Sequence, residues 1–229
     1  MKNSEVTSSV TIHNQYEERI ICYADILGWT NACNDLTNFK CVYATTEKIR
    51  NYANQFSALI KKAVKDPEHS SIEFSFFSDN FAVSAPVNYG HKVLEIMSWA
   101  YQELIREDFL VRGGVTIGCI YHRDGVIFGP ALSEAVNMEE KEACFPRLLC
   151  NEKLVEHFKK TEYGTKYFLF DNDQKWVVNI ATGSCHAEND LMAIIQRNRN
   201  KWVKFAKKWQ YMEEILPRMY EDIHTNHFT

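Results

Sequence analysis

Apolar positions recur along this chain in two rhythms, and the rhythms divide it into elements. Glu18 to Ala24, apolar from Ile20 on, predicts a buried first strand that carries Asp25 into a turn at Gly28. Beyond the turn, Leu36, Phe39, Val42, Tyr43, Ile49, Tyr52, Phe56, Leu59 and Ile60 fall at three- and four-residue steps, the pattern of a long amphipathic helix that stops near Asp66 and Pro67. Two short β-forming runs from Ile72 to Ala85 flank a polar break at Asp79 and Asn80, which predicts a hairpin with a carboxylate at its tip. Val93, Leu94, Met97, Tyr101, Leu104 and Ile105 share one face of a second helix.

Val111 to Tyr121 reads as a strand despite Gly113, Gly114 and Gly118, which weaken it but let another backbone or a ligand come close. A turn at His122 to Gly125 leads into Val126 to Phe128, and Pro130 opens a helix reaching about Glu142. Pro146 to Cys150 gives a brief strand, Asn151 caps a short helix to Lys160, and Lys166–Phe170 with Trp176–Ile180 form a hairpin. From Glu188 one long helical pattern runs through Trp202 and Trp209 to Met219. The expected organisation is a flexible tail over 1–16, one α+β domain over 17–185, and a helical extension over 186–229 packed on the domain or on a second copy. Strand, helix, strand, strand, helix, strand is the ferredoxin-like βαββαβ plan, an antiparallel sheet with helices on one face.

Composition narrows the chemistry. The 229 residues are 45% hydrophobic and 24% charged, enough for one sizeable core, and the formal charge of −4 offers no basic face for nucleic acid. Seven cysteines, odd in number and without Cys-x-x-Cys spacing, suit a reducing compartment better than disulfides or zinc. No run approaches the roughly 20 apolar residues of a membrane span, so a soluble cytoplasmic protein is expected. Asp25 on a buried strand needs something to offset its charge. If Asp25 and Asp79 lie on neighbouring strands, they form an oxygen-only site for Mg²⁺ or Mn²⁺. His122, His157 and His186 lack paired spacing and read as surface residues, and Asp171 and Asp173 as turn residues.

Four motifs then resemble, in order and approximate spacing, the class III nucleotidyl cyclases: Asp25-Ile26-Leu27-Gly28-Trp29, Ser78-Asp79, Arg112-Gly113-Gly114-Val115-Thr116-Ile117-Gly118, and the stretch from Gly129-Pro130 to Glu139. Phe128-Gly129-Pro130-Ala131 and Phe145-Pro146-Arg147 look most like the pyrimidine cyclases of bacterial Pycsar anti-phage defence. The resemblance covers roughly Ile20 to Cys150.

It implies two divalent cations, Mn²⁺ or Mg²⁺, held by Asp25, Asp79 and the Ile26 carbonyl, which activate a ribose 3′-hydroxyl and hold the leaving pyrophosphate. The turn Leu27, Gly28, Trp29, Thr30 would cradle phosphates through its backbone N–H groups. The adenine-reading Lys and Asp of the family are replaced here by Ser75 and Val126, and its helix Asn and transition-state Arg by Ser133 and Asn137. Arg147 or Arg112 is then the candidate replacement arginine. Phe77 and Tyr52 narrow the base pocket towards a pyrimidine, with UTP favoured and CTP the alternative. The resemblance further implies a head-to-tail homodimer and a cyclic product read by a separate effector. A diguanylate-cyclase or polymerase palm domain would instead show a Gly-Gly-Asp-Glu-Phe-like hairpin, and a non-catalytic nucleotide sensor remains a further alternative.

Overall fold

A computed structural model describes residues 15–63, 72–183 and 186–226. The expected tail over 1–14, the helix stop at Asp66 and Pro67, and the side chain of Tyr52 lie outside the described residues. The elements in chain order are β1 (Glu17–Leu27), α1 (Trp29–Asn34), α2 (Phe39–Ala63), β2 (Glu73–Phe77), β3 (Asn80–Pro86), α3 (Gly90–Arg106), β4 (Leu110–Arg123), β5 (Val126–Phe128), α4 (Pro130–Asn137), β6 (Leu148–Cys150), α5 (Glu152–Lys159), β7 (Phe168–Phe170), β8 (Trp176–Val178), α6 (Glu188–Lys201) and α7 (Ala206–Asn226). No described helix is long and apolar enough to cross a membrane.

The sheet runs β2-β3-β1-β4-β6-β8-β7, with β5 paired to β4. Its first four strands are the ferredoxin-like core, antiparallel throughout, with β1 between β3 and β4. Period-two alternation along β1 decides the two faces. Ile20, Cys22, Ala24 and Ile26 join Phe81, Val83 and Val115 in the main core with α3 residues such as Val93, Leu94 and Met97. Arg19, Ile21, Tyr23 and Asp25 face the other way.

That second face is also covered, which corrects the expectation of helices on one face only. Helix α4 lies on it, and Gly114 is the reason it can: a Cβ there would stand 2.4 Å from the Ala135 carbonyl oxygen and 2.8 Å from the Met138 Cβ. Gly114, and more loosely Gly118 beside Ala131, thus serve close helix-on-sheet packing, whereas a Cβ at Gly113 would meet the Tyr23 carbonyl of β1 and Leu148 of β6.

The C-terminal pattern folds as two helices rather than one. A straight helix over 188–226 would extend about 58 Å and leave the domain behind. The chain instead turns at Trp202, and α7 runs back along α6: Tyr220 Oη donates to the His186 carbonyl (2.7 Å), while Arg199 pairs with Glu213. Both helices then bury their stripes, Leu191 and Ile195 on α6 and Trp209, Met212, Ile215 and Met219 on α7.

His122 is 1% exposed, not a surface residue. Ser75 Oγ and Ser84 Oγ each lie 2.9 Å from one of its ring nitrogens, Ser75 Oγ also donates to the Gly125 carbonyl at 3.2 Å, and Arg19 Nε donates to Ser84 Oγ at 3.0 Å. Only one pattern uses every group once. Nε2–H donates to Ser75, and Nδ1 accepts from Ser84, so the ring is neutral. Burial and the nearby Arg19 push its pKa down to about 3.

Candidate active site

The strand register assembles the site. Asp25 stands opposite Asn80 on β3 and Arg112 on β4, and Asn80 stands opposite Phe77 on β2, so one row on one face reads Phe77, Asn80, Asp25, Arg112. The β2–β3 connection is the two-residue turn Ser78–Asp79, with Ser78 at φ 58°, and Asn80 already begins the strand. This turn is tied to β1 directly beside Asp25, because the Ile26 N–H donates to the Asp79 carbonyl at 2.8 Å. Asn80 Nδ2 donates to Asp79 Oδ1 at 2.9 Å and sets the carboxylate. Ile26 buries its side chain in the core, which leaves its main chain beside both aspartates.

Electrostatics report the same convergence. The Asp25 carboxyl lies above its ordinary range, raised mainly by burial and further by Asp79, against the pull of Arg112 and Lys208. Arg112 Nη2 lies 3.5 Å from Asp25 Oδ2 and 2.5 Å from Glu139 Oε1. Glu139 belongs to a wide helical turn, Met138–Glu142, that follows α4 and returns this side chain to the sheet, where it is 4% exposed. Burial raises its pKa too, with Arg112 opposing and Asp25 adding. The Tyr23 phenol is raised by burial and then by Glu139, Asp25, Glu140 and Asp79. Four carboxylates thus meet two cations, Arg112 and Lys208. A site with this negative excess and oxygen donors alone suits a hard divalent cation. Among the described residues no group of three or more His, Cys, Asp or Glu side chains could hold a metal by itself. The fit therefore rests on the two aspartates, main-chain oxygen and whatever oxygens a ligand brings.

Beside the carboxylates, β1 ends at Gly28, whose φ of 91° has open space around it. Trp29 anchors the turn, 3% exposed, with ring centroids 5.8 Å from Phe76 and 5.3 Å from Phe109. Thr30 is exposed at the start of α1. Leu27 and Gly28 open onto a cavity of about 490 Å³ that is also lined by Trp202, Lys208 and Trp209 of the C-terminal hairpin.

Other expected residues lie elsewhere or are engaged. Arg147 is 2% exposed, and its guanidinium is fixed by Asp171 Oδ2 at 2.5 Å and by Asp173 at 2.8 and 2.5 Å, with its Cζ 5.4 and 5.8 Å from the centroids of the Phe145 and Tyr211 rings, which stack on each other. The structure corrects its place: it is bound into a buried ion pair, because desolvation favours the bidentate partners that β7–β8 presents. Asp171, 5% exposed, is accordingly no simple turn residue. Ser75 shares the face of Asp25, but its hydroxyl is bound to His122 and Gly125, so it is not open to a base. Ser133 and Asn137 stand on the exposed side of α4, and Ser133 Oγ donates only to the Gly129 carbonyl at 3.4 Å. Phe77 is 44% exposed at the end of the Asp25 row. Glu139 and Lys208 were not foreseen. Glu139 closes the matched helix motif, which was the available signal, whereas nothing in the sequence sets Lys208 apart from Lys204 and Lys207.

No family model matches the chain, and no curated protein does. Solved structures do. A bacterial light-regulated adenylyl cyclase matches over 81% of this chain at 15% identity and a TM-score of 0.50. The guanylyl cyclase domain of the RhoGC fusion protein from the aquatic fungus Blastocladiella emersonii matches over 72% at 14% identity, also at 0.50. The chain spans 57% of the first structure and 95% of the second. Its α+β fold is therefore that of these adenylyl and guanylyl cyclase domains.

Proposed function

We propose that the chain is a nucleotidyl cyclase that converts a pyrimidine nucleoside triphosphate, UTP before CTP, into its 3′,5′-cyclic monophosphate and pyrophosphate. The observation that carries this reading is the pairing of Asp25 with the Asp79 turn, locked by the Ile26–Asp79 hydrogen bond at the mouth of the Gly28 turn. Two divalent cations, Mg²⁺ or Mn²⁺, held by Asp25, Asp79 and the Ile26 carbonyl, would supply Lewis-acid charge to the 3′-hydroxyl and the leaving group.

The chain's own residues prepare the rest. Arg112, anchored by Glu139, holds Asp25 in place. Gly28 would let the backbone approach phosphate closely, with the N–H groups of the Leu27-to-Thr30 turn as its donors. Trp29 fixes the turn through its packing. The hydroxyl attacks phosphorus in line as the bond to pyrophosphate breaks, and positioning supplies much of the rate.

A pyrimidine is favoured because the two purine-reading places hold Ser75, engaged with His122, and Val126, an apolar residue. Ser133, Asn137 and Phe77 would meet nucleotide across a head-to-tail homodimer. The product would serve as a second messenger in anti-phage defence, read by a separate effector. Incubation with each of the four triphosphates and Mn²⁺, followed by pyrophosphate release and mass spectrometry of the product, tests the reading. Cyclic UMP is expected. Consumption of GTP alone to a dinucleotide would instead indicate a diguanylate cyclase, and no pyrophosphate from any triphosphate would indicate a nucleotide sensor.

A further inference from the structure

The proposed reaction gathers negative charge on the phosphates, yet the two arginines near the sheet end are already engaged. Arg112 is held by Asp25 and Glu139, and Arg147 by Asp171 and Asp173. One cation at the site is left over. Lys208, in the first turn of α7, is half-buried and among the described residues pairs with no carboxylate, its ammonium lying 5.6 Å from the Phe205 ring centroid. It lines the cavity that Leu27 and Gly28 open onto, and its charge acts on both Asp25 and Arg112.

The acidic groups around that cavity are engaged by other partners, two of them by cations. Asp108 is paired with Arg197 and Asn198, with Lys201 at 3.8 Å, and Glu107 is paired with Lys48 at 2.7 Å. Asp35 accepts from the N–H and hydroxyl of Thr37. A polyanion entering beside Gly28 therefore meets the Lys208 ammonium in the same cavity, where two of the three lining carboxylates, Glu107 and Asp108, are paired with cations. A lysine suits this place, since an ammonium on a flexible stem follows phosphates as they move.

We propose that Lys208, supplied in cis by the C-terminal hairpin, binds the terminal phosphates of the substrate in this cavity, so that α6 and α7 complete the active site besides packing on the domain. The inference rests on the cyclase reading above. Burial and the neighbouring Arg112 lower the pKa of Lys208, and a phosphate beside it relieves that strain on its charge.

Inorganic tripolyphosphate is the probe, because it carries the phosphate chain without base or ribose. Its affinity for wild type, K208M and K208R is measured by calorimetry with Mn²⁺, alongside thermal unfolding and, for UTP, KM and kcat. Loss of one charged hydrogen bond weakens binding on the order of tenfold to a hundredfold. K208M is expected to show that loss for tripolyphosphate and a matching rise in KM, with a Tm within about 2 °C of wild type. K208R is expected to restore most of the affinity. Should K208M unfold, K208Q and K208R, which keep the packing stem, are compared in the same way. Equal tripolyphosphate affinity in wild type and in a folded K208M or K208Q overturns the proposal, even if cyclic nucleotide is made. Lys208-dependent tripolyphosphate binding without any cyclic product upholds it and defeats the cyclase reading instead.

Discussion

Replacing Arg147 by methionine separates a structural arginine from a catalytic one. Methionine keeps the apolar stem but removes the guanidinium that Asp171 and Asp173 hold, and with it the cation–π contacts to Phe145 and Tyr211. Breaking a buried ion pair costs roughly 3–5 kcal/mol, because the remaining charge loses both water and partner. The low end applies here. Asp171 keeps the Tyr211 hydroxyl at 2.5 Å and Arg218 at 3.1 Å, and the Asp173 side chain, 44% exposed, rehydrates. The expected loss is about 3 kcal/mol, or about 6–12 °C in Tm for a chain of this length. It should depend on pH in a stated direction. Burial opposes ionisation of Asp171, but Tyr211, the Asn172 N–H and Arg147 together hold its pKa below the ordinary value, and Arg147 does so for Asp173. Stability from a depressed carboxylate is present above its unfolded pKa near 3.9 and disappears as pH falls through the folded value. The gap between wild type and R147M, read from urea unfolding, should therefore be full at pH 7 and shrink below about pH 4. Turnover per folded molecule should change little. An unchanged Tm together with a hundredfold or greater fall in kcat would refute the reasoning and place Arg147 at the reacting phosphate.

Three further variants test other links. Asp79→Ala removes a turn carboxylate and no core volume, so turnover should vanish while the unfolding midpoint stays near wild type; retained pyrophosphate release would count against the paired-aspartate site. Gly114→Ala drives a Cβ to 2.4 Å from the Ala135 carbonyl, and displacement of α4 should cost about 1–3 kcal/mol and loosen Glu139 from Arg112, seen as lower stability and lower activity together. His122 has a folded pKa of about 3 against about 6.5 unfolded. Its depressed value favours folding above about pH 6.5, and that contribution declines as pH falls towards the folded value, by about 2–3 kcal/mol between pH 6.5 and 4.5. His122→Gln should flatten this part of the stability profile, and an unaltered slope would disprove the neutral buried ring.

Much of the fold was readable because it is written in local rhythm. The apolar run of β1, the three- and four-residue steps of α2 and α3, the polar break read at Asp79 and Asn80, one residue beyond the observed turn, and Pro130 at the head of α4 each decide their own element within a few residues. The convergence of Asp25 and Asp79 was conditional on their strands being neighbours, and the β1–β3 register supplies that condition. What depended on distant partners was not readable. The apolar stripe from Leu191 to Met219 fits one continuous helix as well as two, and only the size of the body it must cover bends it at Trp202. Arg147 and Arg112 look alike in sequence as strand-end arginines, yet one meets Asp171 and Asp173 and the other meets Asp25 and Glu139.

Sequence alone therefore determined most of the segments that are helix or strand, and put two aspartates at the ends of β-forming runs. Tertiary structure decided which polar side chains are free to act, because a charge or hydroxyl is available only if no group brought from elsewhere in the chain has already satisfied it. By that criterion Ser75 and Arg147 are engaged, Glu139 becomes the anchor of Arg112, and Lys208 is left facing the cavity beside Gly28.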